Sequence, residues 1–294
     1  MLRNALLSLS KLQVPEEVRI TLLLCDNEGS SRNKEVFDEI SNQIEFKCLY
    51  FIEANRGLTH MRNLILREAI NLKASHLALF DDDETVDKYW LVQLMLCQEK
   101  YKADAVTGKV VYIWPDGGDL HRTLKSKYAR VSLPKTGALQ DKSGTSNVLL
   151  KLDIVRKLNL TFHPDLNLKG GEDILFFNIL FDHGAKIVWC NEALTYENVP
   201  RSRATVEWIL QRKYRYGYTR YLIEKFRFGK SKALTRSIFY CFTEVLRCGF
   251  LLLAYRALSE ESRITLKTDL QYLRGIKDAI LGMEYLEYAT IHGH

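Results

Sequence analysis

The sequence predicts an α/β fold with a mainly parallel sheet, and three observations carry that expectation. Short runs rich in Ile, Leu and Val alternate with segments of helical apolar spacing, the order expected of βα units. Each run ends in polar residues, so polar chemistry should gather along one rim, where open α/β sheets bind ligands. The third observation is Ser75-His-Leu-Ala-Leu-Phe-Asp-Asp-Asp-Glu84, where an apolar strand, Leu77 to Phe80, stops in four consecutive acids.

Taken in order, Leu2 to Leu12 reads as a helix and Val18 to Cys25 as a strand closing at Asp26-Asn-Glu28. A turn through Gly29, Ser30 and Ser31 leads to a helix from Asn33 to Ile44. Glu45 to Ile52 is a second strand, and His60 to Leu72 a helix carrying Arg62 and Asn63 near its start. After the acidic run, Lys88 to Lys100 has helical spacing at Trp90, Leu91, Leu94 and Met95. Ala103 to Trp114 is a strand, and Pro115 to Gly137 a polar, basic excursion. Ser143 to Leu150 returns as a strand with Thr145 and Asn147 offering side-chain hydrogen bonds, followed by a short helix from Asp153 to Asn159. Ile174 to Phe181 is a strongly apolar helix.

The 294 residues, 47% of them apolar, suffice for one large α/β domain, or one with a helical appendage. The net charge of +6 is unevenly spread, with bases gathered between Arg201 and Arg236. Such a cluster suits an anionic partner, or is the solvated face of a helix. Six cysteines show neither a CxxC pair nor metal-ligand spacing, which points to a reducing, cytoplasmic compartment. No signal peptide is expected at Met1 to Leu12. The absence of a Gly-rich phosphate loop argues against ATPases and dinucleotide-dependent dehydrogenases.

Two acidic foci carry the chemistry. Adjacent carboxylates at a strand end repel one another unless water screens them or a cation neutralises them, and Mg²⁺ favours such oxygens together with substrate phosphates. The competing explanation is an acidic turn capping the next helix. The second focus is Lys169-Gly-Gly-Glu-Asp-Ile-Leu-Phe-Phe177, where two glycines permit unusual backbone angles before Glu172 and Asp173. A carboxylate fixed at the start of a buried helix suits a general base, and helix capping is again the alternative.

Four blocks, Asn55-Arg-Gly-Leu-Thr-His-Met-Arg-Asn63, Phe80-Asp-Asp-Asp-Glu84, Gly170-Gly-Glu-Asp-Ile-Leu-Phe-Phe177 and Tyr196-Glu-Asn-Val-Pro-Arg-Ser-Arg203, continue into Trp208-Ile-Leu-Gln-Arg-Lys-Tyr-Arg-Tyr-Gly217. In order and spacing they resemble the family-2 glycosyltransferases of the GT-A fold, above all bacterial exopolysaccharide enzymes of the succinoglycan-biosynthesis type. The resemblance implies a Rossmann-like, mainly parallel sheet with flanking helices. It also implies inverting transfer of a sugar from a nucleotide-diphosphate sugar to a hydroxyl of a glycan or lipid-linked saccharide, in exopolysaccharide or lipopolysaccharide synthesis. Asp81 and Asp83 match the ends of the family's DxD motif. Asp83 would then ligate Mn²⁺ or Mg²⁺, with Asp81 at the metal or the ribose and Asp82 beside the nucleotide sugar. Asp26 and Arg62 fall where nucleotide contacts are made, and Asp173, beside Glu172, matches the catalytic base. Thr145, Asn147, Arg212 and Arg215 are candidates for acceptor or diphosphate contacts, although the family's Arg-Trp pair is absent near Arg212 and Arg215.

Family members begin with a strand and a base-holding loop, whereas this chain opens at the helix expected next, so a late start or an inactive copy is anticipated. The expected division is a transferase domain over 1–217 and a helical extension over 218–294. Ser237 to Leu258 is apolar but interrupted by Glu244, Arg247 and Arg256, so an amphipathic helix, packed on the domain or lying at a membrane interface, is expected rather than a span. Ser262 to Tyr288 closes the chain as one helix or two. The expected location is cytoplasmic, peripheral at the inner face of the cytoplasmic membrane, with no nucleic-acid partner. The rival functions are a non-catalytic nucleotide-sugar or glycan-binding protein, and another Mg²⁺-dependent phosphoryl- or nucleotidyl-transfer enzyme.

Overall fold

The computed structural model describes residues 1–28, 31–115 and 133–287. Gly29 and Ser30 of the turn expected over 29–31, most of the excursion expected over Pro115–Gly137, and Tyr288 lie outside them, while Ser31 of that turn opens a helix instead. Two compact units form. The first spans Met1–Ile113, Leu133–Asn167 and Glu172–Asn198, and the second comprises Leu168–Gly171 and the described residues from Val199 onward.

In chain order the first unit runs α1 (Leu2–Leu9), β1 (Thr21–Asp26), α2 (Ser31–Ser41), β2 (Lys47–Ile52), α3 (Leu58–Asn71), β3 (His76–Phe80), β4 (Glu84–Val86), α4 (Trp90–Tyr101) and β5 (Ala105–Ile113). It continues with β6 (Leu139–Gln140), β7 (Asn147–Lys151), α5 (Leu152–Leu158), α6 (Glu172–Asp182) and β8 (Ile187–Asn198). The elements anticipated from periodicity are present, with ends shifted by a few residues.

The sheet is mixed, where βα alternation predicts mainly parallel pairing. β1 pairs with β2 in parallel, and β5 with β8 in parallel. The antiparallel pairs are β3 with β7, β7 with β5, β4 with β8 and β6 with β8. The reason is connectivity: β4 follows β3 through a tight turn, and no helical crossover among the described residues leads into β7, as a parallel neighbour requires. The strand order is β3-β7-β5-β8-β4, and β1-β2 forms a separate two-stranded piece.

Period-2 alternation still organises the packing. Leu22 and Leu24 of β1, with Ala78 and Phe80 of β3, join one core built on α1, α2 and α4. Leu23 and Cys25, with Leu77 and Leu79, join the other, under α3, α5 and α6. Helix α6 is buried through Leu175, Phe176, Phe177 and Leu180, as its apolar run demands. Phe162 stacks on Phe176 at 4.3 Å between ring centroids.

The second unit contains α7 (Val206–Phe228), α8 (Lys230–Leu253) and α9 (Glu260–Ile280). The division expected after residue 217 falls inside α7. Thr205 accepts the Trp208 N–H at 3.2 Å to cap α7, and Ser259 accepts that of Ser262 at 3.2 Å to cap α9. No described helix is long and apolar enough to cross a membrane.

Helices α7 and α9 touch backbone to backbone at two glycines. A methyl on Gly217 would lie 1.9 Å from the Tyr272 carbonyl oxygen, and one on Gly275 would lie 2.1 Å from that of Tyr214. Glycine costs about 1 kcal/mol in a helix interior relative to alanine, so close approach has to outweigh propensity here. Gly275→Ala should therefore lower the thermal midpoint, costing about 1–3 kcal/mol through overpacking. Circular-dichroism melting decides it, since propensity alone predicts a rise.

Candidate active site

The four acids after β3 form one tight turn. The Glu84 N–H donates to the Asp81 carbonyl at 3.1 Å, closing residues 81–84. Asp82 is exposed at the tip, Asp81 and Asp83 are half-buried, and Glu84 is only 2% exposed. Pairing of β4 with β8 places Glu84 opposite Glu197. Burial, with the Asp81 charge beside it, pushes the Glu84 carboxyl up to about 10 despite a hydrogen bond with Thr195. Burial likewise pushes Asp81 up to about 7; the Arg62 guanidinium pulls it back, while Asp83, Asp82 and Asp173 push it further. Asp81 thus senses both acidic foci of the sequence and one arginine.

Arg62 is placed by an unusual helix start. The residue before α3 is Gly57, which has no capping side chain, and Asn167 supplies the cap from a distant segment. Its Oδ1 accepts the Thr59 N–H at 3.0 Å and the Thr59 hydroxyl at 2.7 Å, while its Nδ2 donates to the Arg56 carbonyl at 2.9 Å. A methyl on Gly57, whose φ is 131°, would lie 2.2 Å from Asn167 atoms, so only glycine admits this cap. Asn63 donates to the Phe162 carbonyl at 2.9 Å and accepts its N–H at 2.8 Å. Asn27 accepts the Gly57 N–H at 2.7 Å and donates to the carbonyls of Glu53 at 2.7 Å and Asn55 at 2.8 Å.

From this anchored turn the Arg62 guanidinium contacts the Glu172 carboxylate, with side-chain exposures of 13% and 2%. Glu172 opens α6, directly after Gly170 and Gly171 at φ 82° and 83°. Next in the chain, the Asp173 Oδ1 accepts the Ile174 N–H at 2.7 Å. Its Oδ2 lies beside Gly144, 3.5 Å from where a methyl there would sit. The fold thus brings Arg62, Asp81, Asp82, Asp83, Glu172 and Asp173 together.

Asp26 is buried, with Oδ1 accepting the Glu28 N–H at 2.8 Å and Asn33 Nδ2 at 3.3 Å. Its Oδ2 accepts the Tyr50 hydroxyl at 2.5 Å, so this carboxylate shapes its own loop. Asn147, expected at a ligand, is instead an internal fastener. It accepts Trp90 Nε1–H at 2.8 Å and donates to the carbonyls of Ala193 at 3.0 Å and Lys109 at 3.2 Å. Burial at 2% exposure explains the correction, because an amide there must find its partners inside. Thr145 is buried beside it. Arg212 and Arg215 belong to the second unit, where Arg212 Nε donates to the Tyr216 hydroxyl at 2.5 Å and Arg215 lies 3.8 Å from Glu287. Asn27 and Asn167 escaped sequence reasoning because their partners lie 26 to 111 residues away, with no local pattern to mark them. Glu197 carried a signal only through the block Tyr196-Glu-Asn-Val.

No protein-family profile matches the chain. The succinoglycan biosynthesis protein ExoM of Rhizobium meliloti (strain 1021) is 29% identical over 300 residues, covering 97% of this chain and 91% of the relative. Among solved structures, residues 1–349 of S. aureus TarS superpose with a TM-score of 0.52 at 13% identity, covering 97% of this chain and 88% of that one. The same protein in complex with UDP-GlcNAc gives 0.50 at 13% identity, covering 97% and 89%.

Removing one partner of a buried ion pair typically costs about 3–5 kcal/mol. Glu172→Gln should therefore destabilise the protein by roughly that amount in urea unfolding. A change under about 0.5 kcal/mol, the range of ordinary surface substitutions, would show that the contact does not hold α3 to α6. Asn167→Ala, which removes a cap, should cost about 1 kcal/mol.

Proposed function

We propose that this chain, which has the GT-A fold and is homologous to a succinoglycan biosynthesis protein, is a metal-dependent, inverting glycosyltransferase of surface-polysaccharide synthesis. The donor in this reading is a nucleotide-diphosphate sugar, and the acceptor is a hydroxyl of a glycan or lipid-linked saccharide. One observation carries it: the Asp81 carboxyl lies within electrostatic reach of Asp83, Arg62 and Asp173 at once. In this reading the charge for a diphosphate and the base for a hydroxyl belong to one site.

The donor set fits a hard divalent cation. No group of three His, Cys, Asp or Glu side chains arranged to hold a metal ion is present among the described residues. Two turn carboxylates, Asp81 and Asp83, are what Mn²⁺ or Mg²⁺ uses when substrate phosphates and water complete its shell. Bound there, the cation would neutralise charge on the leaving diphosphate. Glu84, buried and uncharged, backs the turn without adding to its repulsion.

Asp173 is the proposed base. Its Oδ1 is held by the Ile174 N–H, which leaves Oδ2 on the Gly144 side to receive a proton from an attacking hydroxyl. Glu172 acts through Arg62: the buried contact fixes the start of α6 and so the direction of Asp173. In this reading Glu172 is a positioning residue.

Two measurements test the reading. UDP should bind at least about tenfold more tightly with Mn²⁺ than with chelator, and Asp83→Ala should abolish the difference. Equal calorimetric affinities in the parent would remove the metal from the mechanism. Asp173→Asn keeps size and hydrogen bonding but accepts no proton. It should lower sugar transfer from UDP-sugars, UDP-GlcNAc among them, by about 10²–10⁴-fold with donor affinity unchanged. Unchanged transfer removes Asp173 from the mechanism; donor binding without transfer by the parent supports a binding protein instead.

A further inference from the structure

Helix α8 leaves an apolar stripe uncovered. Ile238, Phe239, Phe242, Leu246, Phe250 and Leu253 are 57% to 89% exposed. At about 100° per residue they fall within an arc of about 120° and run for about 24 Å along the helix. The opposite side is the packed one. Ala233, Ser237 and Cys248 are buried there, and Tyr240 and Cys241 pack with Leu266 and Leu273 of α9. A helix that satisfies its core on one side has no folding reason to place three phenylalanines in water on the other. Continuous exposed apolar surface of this kind marks an interaction site.

The charges beside the stripe identify the partner. Lys230, Lys232 and Arg236 are exposed at the N-terminal end of the helix: Lys232 borders the stripe, Lys230 lies on the other side of the helix, and Arg236 Nε is 3.3 Å from Glu224 of α7. The lone acid of α8, Glu244, is turned to Arg247, whose Nη2 lies 2.6 Å from it and 2.7 Å from Asp269. The exposed stripe of α8 is therefore apolar, bordered by a base at its N-terminal end, and carries no carboxylate of α8 itself. We infer that it lies in the plane of an anionic lipid surface, the phenylalanines among the acyl chains and the lysines at the headgroups. A second copy docked on the same face would bring no acid from α8 to meet those bases, and this favours lipid over self-association. The docking surface stands independently of the transfer chemistry.

The test is co-sedimentation of the full chain with phosphatidylcholine vesicles, with and without phosphatidylglycerol. The parent should bind the phosphatidylglycerol vesicles, less tightly as salt rises, and bind phosphatidylcholine alone at least about tenfold more weakly. Phe239→Ser/Phe242→Ser/Phe250→Ser should lose at least about tenfold in affinity. Lys230→Gln/Lys232→Gln should lose about fivefold per base removed. Circular dichroism establishes that each variant is folded; should the first unfold, the lysine variant and the lipid dependence of the parent decide. Absent binding to anionic vesicles, equal binding to neutral ones, or unchanged binding by a folded variant overturns the proposal. So does a parent dimer in sedimentation velocity that the phenylalanine substitutions dissociate, since the stripe would then belong to a second copy.

Discussion

The buried contact between Arg62 and Glu172 is the constraint on which the site depends. It joins the second turn of α3 to the start of α6, more than a hundred residues away in the chain, and the same guanidinium acts on Asp81 of the other focus. Such a pair adds little net stability, because desolvating two charges offsets most of their attraction. What it secures is geometry. The Asn167 cap and the reciprocal Asn63–Phe162 hydrogen bonds prevent α3 from turning, so the guanidinium has one place to go.

Around that fixed cation the acids are arranged by depth. Glu84 is inside, its carboxyl pushed up by burial, Asp81 is raised by burial too, and Asp82 is exposed at the turn tip. Four adjacent carboxylates would otherwise repel one another strongly. Burying the last of them as a neutral acid relieves part of that repulsion while keeping the turn tight. The arrangement favours whatever brings positive charge to Asp81 and Asp83, and it does so without a preformed cage.

Much of this was legible in the chain because it was written locally. Leu77 to Phe80 followed by acids announces a buried strand and a polar rim, and Gly170-Gly-Glu-Asp announces the start of α6. Long-range pairing was not legible. Asn147 is a ligand candidate in the sequence because its side chain offers hydrogen bonds, yet its amide fastens β5, β8 and α4. Strand β8 left little pattern because its alternation is broken: the register with β5 jumps from Gly108↔Cys190 to Lys109↔Leu194, looping out three residues. The mixed sheet followed from connections, which periodicity does not encode. Gly217, the end of a recognisable block, owes its place to the α9 backbone pressed against it.

Strands β1 and β3 send alternate side chains into the same two cores, yet no ladder joins them among the described residues. Apolar packing resists separation but is indifferent to small sliding, whereas a ladder locks register residue by residue. The block of β1, α2 and β2 is thus held to the larger sheet by adhesion without a ratchet. The Asn27 bonds to residues 53–57 then acquire a second meaning, as the clasp that keeps this block's loops and the start of α3 moving as one piece.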